Sequence, residues 1–269
     1  MNRTKCHSVA ICLFLLGIGG TAARADDFRI HTELFVEDEK KPAAEYTTLF
    51  KSGLVYDYRT NPPQVTIFDP ARSRFILLDT QRKLRTEKST ADIETFVERL
   101  QTWAANHPDP ALQFQAQPAF QETVDQETGE LVFSSDWTTY RIKAEAAANP
   151  EAFRQYAAFS DWFARLNVLT GSTVLPFPRL RVNQSLAEQE LVPTEVRLTV
   201  VGPNQIPTAR VQSKYRTQHH VVWALSAADK RRLEQTAQDL VTFEEVKFED
   251  YRKDELEKTA QQSKKNAGK

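Results

Sequence analysis

Cysteine is the first thing missing. Cys6 and Cys12 fall within the opening dozen residues, and no other cysteine follows them. Thiol catalysis, cysteine-ligated metals and disulfide staples are therefore excluded for everything after them. Glycine is scarce as well, at 8 of 269 residues. No Walker loop, G-x-G-x-x-G or G-x-S-x-G is present, which excludes a glycine-rich phosphate cradle and a nucleophile elbow. Neither sign of charge dominates, with 35 Lys and Arg against 36 Asp and Glu. Without a basic excess or arginine–aromatic clusters, nucleic acid is not an expected partner.

Long apolar runs are also rare. The longest, residues 9–18 (VAICLFLLGI), follows Arg3 and Lys5 and precedes Ala23-Arg24-Ala25. That is the layout of a secretory signal peptide, with cleavage expected after Ala25. The run is too short to span a bilayer, and nothing after it approaches roughly eighteen uninterrupted apolar residues, so no membrane span is expected. Losing Arg3, Lys5 and Arg24 leaves the remainder weakly acidic. The expected layout is a signal peptide over residues 1–25, one domain over 26–251, and a disordered charged tail over 252–269.

What the sequence does contain is a helix rich in rings. Residues 149–170 read NPEAFRQYAAFSDWFARLNVLT. Asn149 can cap the first amides, Pro150 suits the first helical position, and Glu151 puts negative charge in the first turn. At 100° per residue, Phe153, Tyr156, Phe159, Trp162 and Phe163 share one arc with Leu166 and Leu169. Covering those five aromatics would stabilise the chain by about 10 kcal/mol, so a partner surface is required.

Strands supply that surface. FRIHTELFV, over residues 28–36, alternates with Phe28 and Ile30 on one parity. Strand-like runs follow at 46–50, 54–59, 65–68 and 74–79. Gly53, Asn61-Pro62-Pro63 and Asp69-Pro70 divide them, and the gaps are too short for crossover helices. An antiparallel meander is predicted. A helix capped by Ser89 or Thr90 carries Ile93, Phe96, Val97, Leu100 and Trp103. Residues 108–118 read as a loop or broken strand. A hairpin follows around Glu127-Thr128-Gly129-Glu130, and then a strand from Trp137. Residues 178–193 slightly favour a short helix. Strands at 194–201, 209–217 and 219–225 precede a helix capped by Ser226, and residues 243–251 suit an edge strand or a helical extension. The fold class is thus α+β, a strongly curved antiparallel sheet (an incomplete barrel) wrapped around the aromatic helix. Two further helices, over 89–105 and 226–241, are expected to help enclose it.

Candidates for chemistry are weak. His219 and His220 are neighbours in a strand, so they point to opposite faces and cannot share a metal. His107 suits a helix end, and His31 reads as a surface position. Asp57, Asp69 and Asp79 read as turn-terminating aspartates. The basic run Arg72, Arg74, Arg82, Lys83, Arg85 and Lys88 reads as a solvated strand edge, or as a contact for anionic lipid head groups or acidic partners. No catalytic residue, metal site or cofactor is identified.

The ladder TLFKSGLVYDYRTNPPQVTIFDPARSRFILLDTQRKLRTE resembles that of periplasmic outer-membrane lipoprotein carriers and related exported domains of unknown function. The likeness extends over residues 28–143 and 194–225. It implies helices in the concave face of an incomplete barrel, around an apolar cavity that holds acyl chains. The expected function is a periplasmic carrier or binding module for a lipid, an acylated protein or another apolar group. Phe153, Tyr156, Phe159, Trp162 and Phe163 would line the cavity. The alternative is an envelope module that binds other proteins through the basic run and the charged tail. A hydrolase built on scattered carboxylates is the third reading.

Overall fold

Short turns join the N-terminal strands. The computed structural model describes residues 27–147, 149–172, 174–201 and 212–253. Strands β1 (Phe28–Val36), β2 (Ala44–Lys51), β3 (Leu54–Arg59), β4 (Gln64–Asp69), β5 (Arg74–Asp79) and β6 (Leu84–Ser89) each pair antiparallel with the next. Between β2 and β3, Ser52 and Gly53 both take positive φ, at 52° and 81°. That is the backbone a two-residue hairpin needs to match strand twist.

Helix α1 (Thr90–Ala105) starts at Ser89, whose hydroxyl accepts from the Asp92 amide. Next come α2 (Pro110–Ala116), β7 (Gln121–Val124), β8 (Leu131–Ser134) and β9 (Thr138–Ala146). The aromatic helix α3 (Pro150–Leu169) follows, then α4 (Phe177–Glu188), β10 (Leu191–Val201), β11 (Gln212–Val222), α5 (Ala227–Thr242) and β12 (Glu244–Glu245). The twelve strands form one sheet in the order β12-β6-β5-β4-β3-β2-β1-β11-β10-β9-β8-β7. Only β12 pairs parallel, with β6. β7 and β12 are its two edges, so the barrel is open. β1 pairs β2 on one side and β11 on the other, which joins the two ladders.

Period-two alternation sends the two sets of side chains to opposite faces. Phe28, Ile30, Phe50, Val55, Phe68, Phe75 and Leu77 form one core with Ile93 and Val97 of α1 and with Phe159, Leu166 and Leu169 of α3. This is the inner face. Leu49, Tyr58, Val65, Ile67, Ile76 and Leu78 form the outer core, covered by Leu233 and Leu240 of α5. Tyr58 Oη lies 2.9 Å from Thr236 Oγ1 across that contact.

The fold-class expectation stands, with five differences of detail. Residues 209–217 and 219–225, expected as two strands, supply one continuous strand, β11, over Gln212–Val222. Helix α5 does not help enclose α3; it covers the opposite face, because an apolar stripe specifies burial but not which side of a sheet supplies it. Residues 110–116, expected as loop or broken strand, are helical: Asp109 accepts from the Ala111 amide at 2.8 Å, and Pro110 opens the helix. Residues 84–89 form a strand where only a basic run was expected. Residues 243–251 supply both the edge strand β12 and a helical turn over 248–253. The expected signal peptide and the part of the expected tail beyond residue 253 lie outside the described residues.

Candidate functional site

Strand register sorts the inner face into rows. Phe28, Phe50, Val55, Phe68 and Phe75 stand opposite one another across five strands. This row is filled: Phe28 stacks on Phe50 at 4.1 Å and Phe68 on Phe75 at 4.7 Å, while Phe159 of α3 reaches Phe50 at 5.9 Å. Two residues further along the strands the composition changes. The second row reads Ile30, Thr48, Asp57, Thr66 and Leu77, and the third holds His219, Thr32, Tyr46, Arg59 and Gln64.

Threonine and aspartate are too short to reach α3, and a cavity of about 320 Å³ opens between these rows and the helix. Its helical wall is Tyr156, Phe159, Ser160, Phe163, Ala164 and Asn167. Steps of three and four residues keep that wall on one face of α3. Two further spaces, of about 410 and 450 Å³, share Leu34 and Asn167 with the first. One extends past Arg59, Gln64 and Thr66, the other past Tyr140, Val196 and Tyr215. Such volumes suit small-molecule and single-chain ligands.

The cavity wall is not uniformly apolar. Asp57 is 5% exposed and accepts a hydrogen bond from Thr48 Oγ1 at 2.7 Å. Burial pushes its carboxyl up to about 6, although the Thr48 bond and the Arg59 charge pull the other way. The two ring nitrogens of His219 lie 2.9 Å from Thr32 Oγ1 and 3.1 Å from Thr217 Oγ1. Burial, helped by the nearby Arg179 charge, lowers this imidazole to about 3, so it is neutral at any ordinary pH. Burial also raises the Tyr156 phenol, against the pull of Arg179. Arg179 itself donates to Asn183 Oδ1 at 2.8 Å. Asn183 in turn bonds Ser160 Oγ at 3.0 Å and Asp161 Oδ1 at 2.8 Å, tying α4 to α3. With its imidazole held by two threonines, His219 places neutral hydrogen-bonding groups beside an apolar compartment. Among the described residues, no three His, Cys, Asp or Glu side chains gather as a metal-binding group.

Of the five aromatics expected to line a cavity, Tyr156, Phe159 and Phe163 do so. Phe153 is buried in the first turn of α3 and is not on this wall. Trp162 is half-buried against the inner core, with the Arg165 guanidinium 5.2 Å over its ring. Asp69 and Asp79 end their strands as expected, accepting from the Arg72 amide at 3.2 Å and the Arg82 amide at 2.9 Å. Asp57 is the correction. It is not a turn residue but sits within β3, on the inward parity of Val55, and that parity was the available signal. His219 and His220 do face opposite ways, and His219 joins the site. The basic run is largely ion-paired: Arg74 with Glu87 at 2.6 Å, Arg82 with Asp79 at 2.7 Å, Arg85 with Glu245 at 2.6 Å and Lys88 with Asp92 at 3.3 Å.

No family model matches the sequence, and no curated protein matches it. Among solved structures the chain is similar to a LolA superfamily protein from Nitrosomonas europaea. The two are 7% identical, the match covers 76% of this chain and 87% of that one, and the TM-score is 0.22. A likeness this distant carries no part of the functional argument.

Proposed function

We propose that this protein binds a lipid or another apolar group between the inner face of its sheet and α3, acting by burial rather than by chemistry. One observation carries the reading: three adjoining spaces follow the inward stripe of α3, in a fold whose neighbouring row of rings is packed shut. A chain lying along Phe159 and Phe163 would leave water without any rearrangement of the first row. The leader-like residues 1–25 support export, so the proposed setting is the periplasm or the exterior. The alternative reading as a protein-binding module loses ground, since most of the basic run is already paired with acids of the same chain.

The test is titration with a fluorescent fatty acid, using the wild type and Ala164→Phe. Ala164 borders two of the three spaces, and a phenyl ring there would obstruct both. Saturable binding that the substitution abolishes, with the unfolding temperature kept, is the expected result. Absence of saturable binding to the folded wild type would overturn the reading.

A further inference from the structure

Two charges of opposite sign stand on the wall of the 320 Å³ cavity, and neither has an ionic partner among the described residues. Asp57 enters from β3, and its carboxylate is held by the neutral hydroxyl of Thr48. Arg59, two residues along, borders the adjoining space and donates from Nε to the Asn61 carbonyl at 3.0 Å. Arg179 enters from α4, its Nε occupied by the neutral amide of Asn183. The other buried acids among the described residues are not left this way. Asp69, Asp79 and Asp229 each have an arginine within 3.5 Å, and Glu130 has Arg141 at 3.0 Å. A charge withdrawn from water without a counter-charge is costly, and the cost is offset when a ligand supplies one.

We infer that the cavity takes a single-chain amphiphile with a zwitterionic head group, its ammonium on the Asp57 carboxylate and its anionic oxygens on the Arg179 guanidinium. The inference rests on the apolar-ligand reading and deepens it. A fatty acid anion would satisfy Arg179 but face Asp57, and a simple amine would do the reverse. A neutral alcohol would leave both charges unanswered. The hydroxyls of Thr32 and Thr217, held against His219, add neutral hydrogen-bonding groups beside the head. The rings of Phe159 and Phe163, 5.1 Å apart, provide the surface for the chain.

The experiment is calorimetric binding at neutral pH, below the critical micelle concentration. Dodecanol, dodecylamine, dodecanoate and a dodecanoyl lysophosphatidylethanolamine are compared, with phosphoethanolamine alone as the chainless control. The zwitterionic lipid should bind tightest, roughly tenfold or more above dodecanol. Asp57→Asn should remove the advantage of the two amine-bearing ligands and spare dodecanoate. Arg179→Gln should do the converse, and Arg179→Lys should restore most of the loss. Thermal unfolding confirms that each variant is folded. Equal binding of all four chained ligands, or variants that weaken all four alike, overturns the head-group assignment and leaves the apolar reading standing. Binding of phosphoethanolamine as tight as that of the lipid overturns the amphiphile. Absence of binding by any ligand overturns both.

Discussion

Two rows of the same sheet, two residues apart, behave oppositely. The row of Phe28, Phe50, Val55, Phe68 and Phe75 meets α3 and closes on it. The row of Ile30, Thr48, Asp57, Thr66 and Leu77 faces the same helix and leaves it standing off. Backbone pairing is continuous through both, so the difference lies wholly in the reach and polarity of the side chains. One row is built for stability. The other gives up packing, and it keeps a carboxyl whose charge the interior disfavours.

Substitutions can break or sharpen that contrast. The largest effect is expected for Phe50→Ala, in the filled row. It should cost about 3–5 kcal/mol in denaturant unfolding, since the neighbouring rings cannot collapse onto the void. Asp57→Asn should move stability the other way. An aspartate ordinarily titrates at 3.8 and this one is pushed up to about 6, so between those values the folded state holds more protons than the unfolded. The stability tied to the protonated form is fully present below about pH 4 and is lost as pH rises through 6. At neutral pH the loss is on the order of 2–3 kcal/mol, and asparagine should recover much of it.

His219 has the opposite slope. Its imidazole is lowered from 6.5 to about 3, so its contribution is present above pH 6.5 and is lost as pH falls toward 3. The two groups partly cancel between pH 4 and 6. Thermal unfolding across that range should be nearly flat for the wild type. In Asp57→Asn it should rise with pH.

A smaller effect should separate Asp57 from the ion-paired buried acid Glu130. Glu130 is 1% exposed, with Arg141 Nε at 3.0 Å, Lys143 at 3.9 Å and Arg197 also bonded to it. Glu130→Gln should therefore destabilise by about 1–2 kcal/mol, since both arginines can partly hydrate once released. The opposite signs at Glu130 and Asp57 are the point of the comparison. The smallest change in stability, below about 1 kcal/mol, is expected for Phe163→Leu on the cavity wall. Its effect should appear instead as several-fold weaker binding of a fluorescent fatty acid.

Where the sequence could be read, the reason is physical. The limits of β1, β3 and β5 follow from alternation between turn residues, and α3 from its Asn149 cap, Pro150 and apolar stripe. β6 was hidden because LRTEKS buries only Thr86, and its strand character comes from backbone pairing to β5 and β12. Helix α2 has a visible cap at Asp109 but only seven residues, too few to show a period. Asp57 reads as a turn residue in the sequence because aspartate usually ends strands. Asp69 and Asp79 do so, whereas the parity that Asp57 shares with Val55, and its register with Thr48 and Thr66, put it inside. That a cavity exists at all depends on threonines falling short of α3, a matter of distance rather than of pattern.

The central proposal is that the inner face, and not the outer, receives the ligand. Methyl chemical shifts recorded while a single-chain lipid is titrated in would test it most directly. The methyls of Ile30, Leu34, Leu77 and Ala164 border the inner spaces, whereas Leu49, Ile67 and Leu78 lie in the core beneath α5. Saturable shifts concentrated in the first group are predicted. Shifts centred on the second group, or none in either, would contradict it.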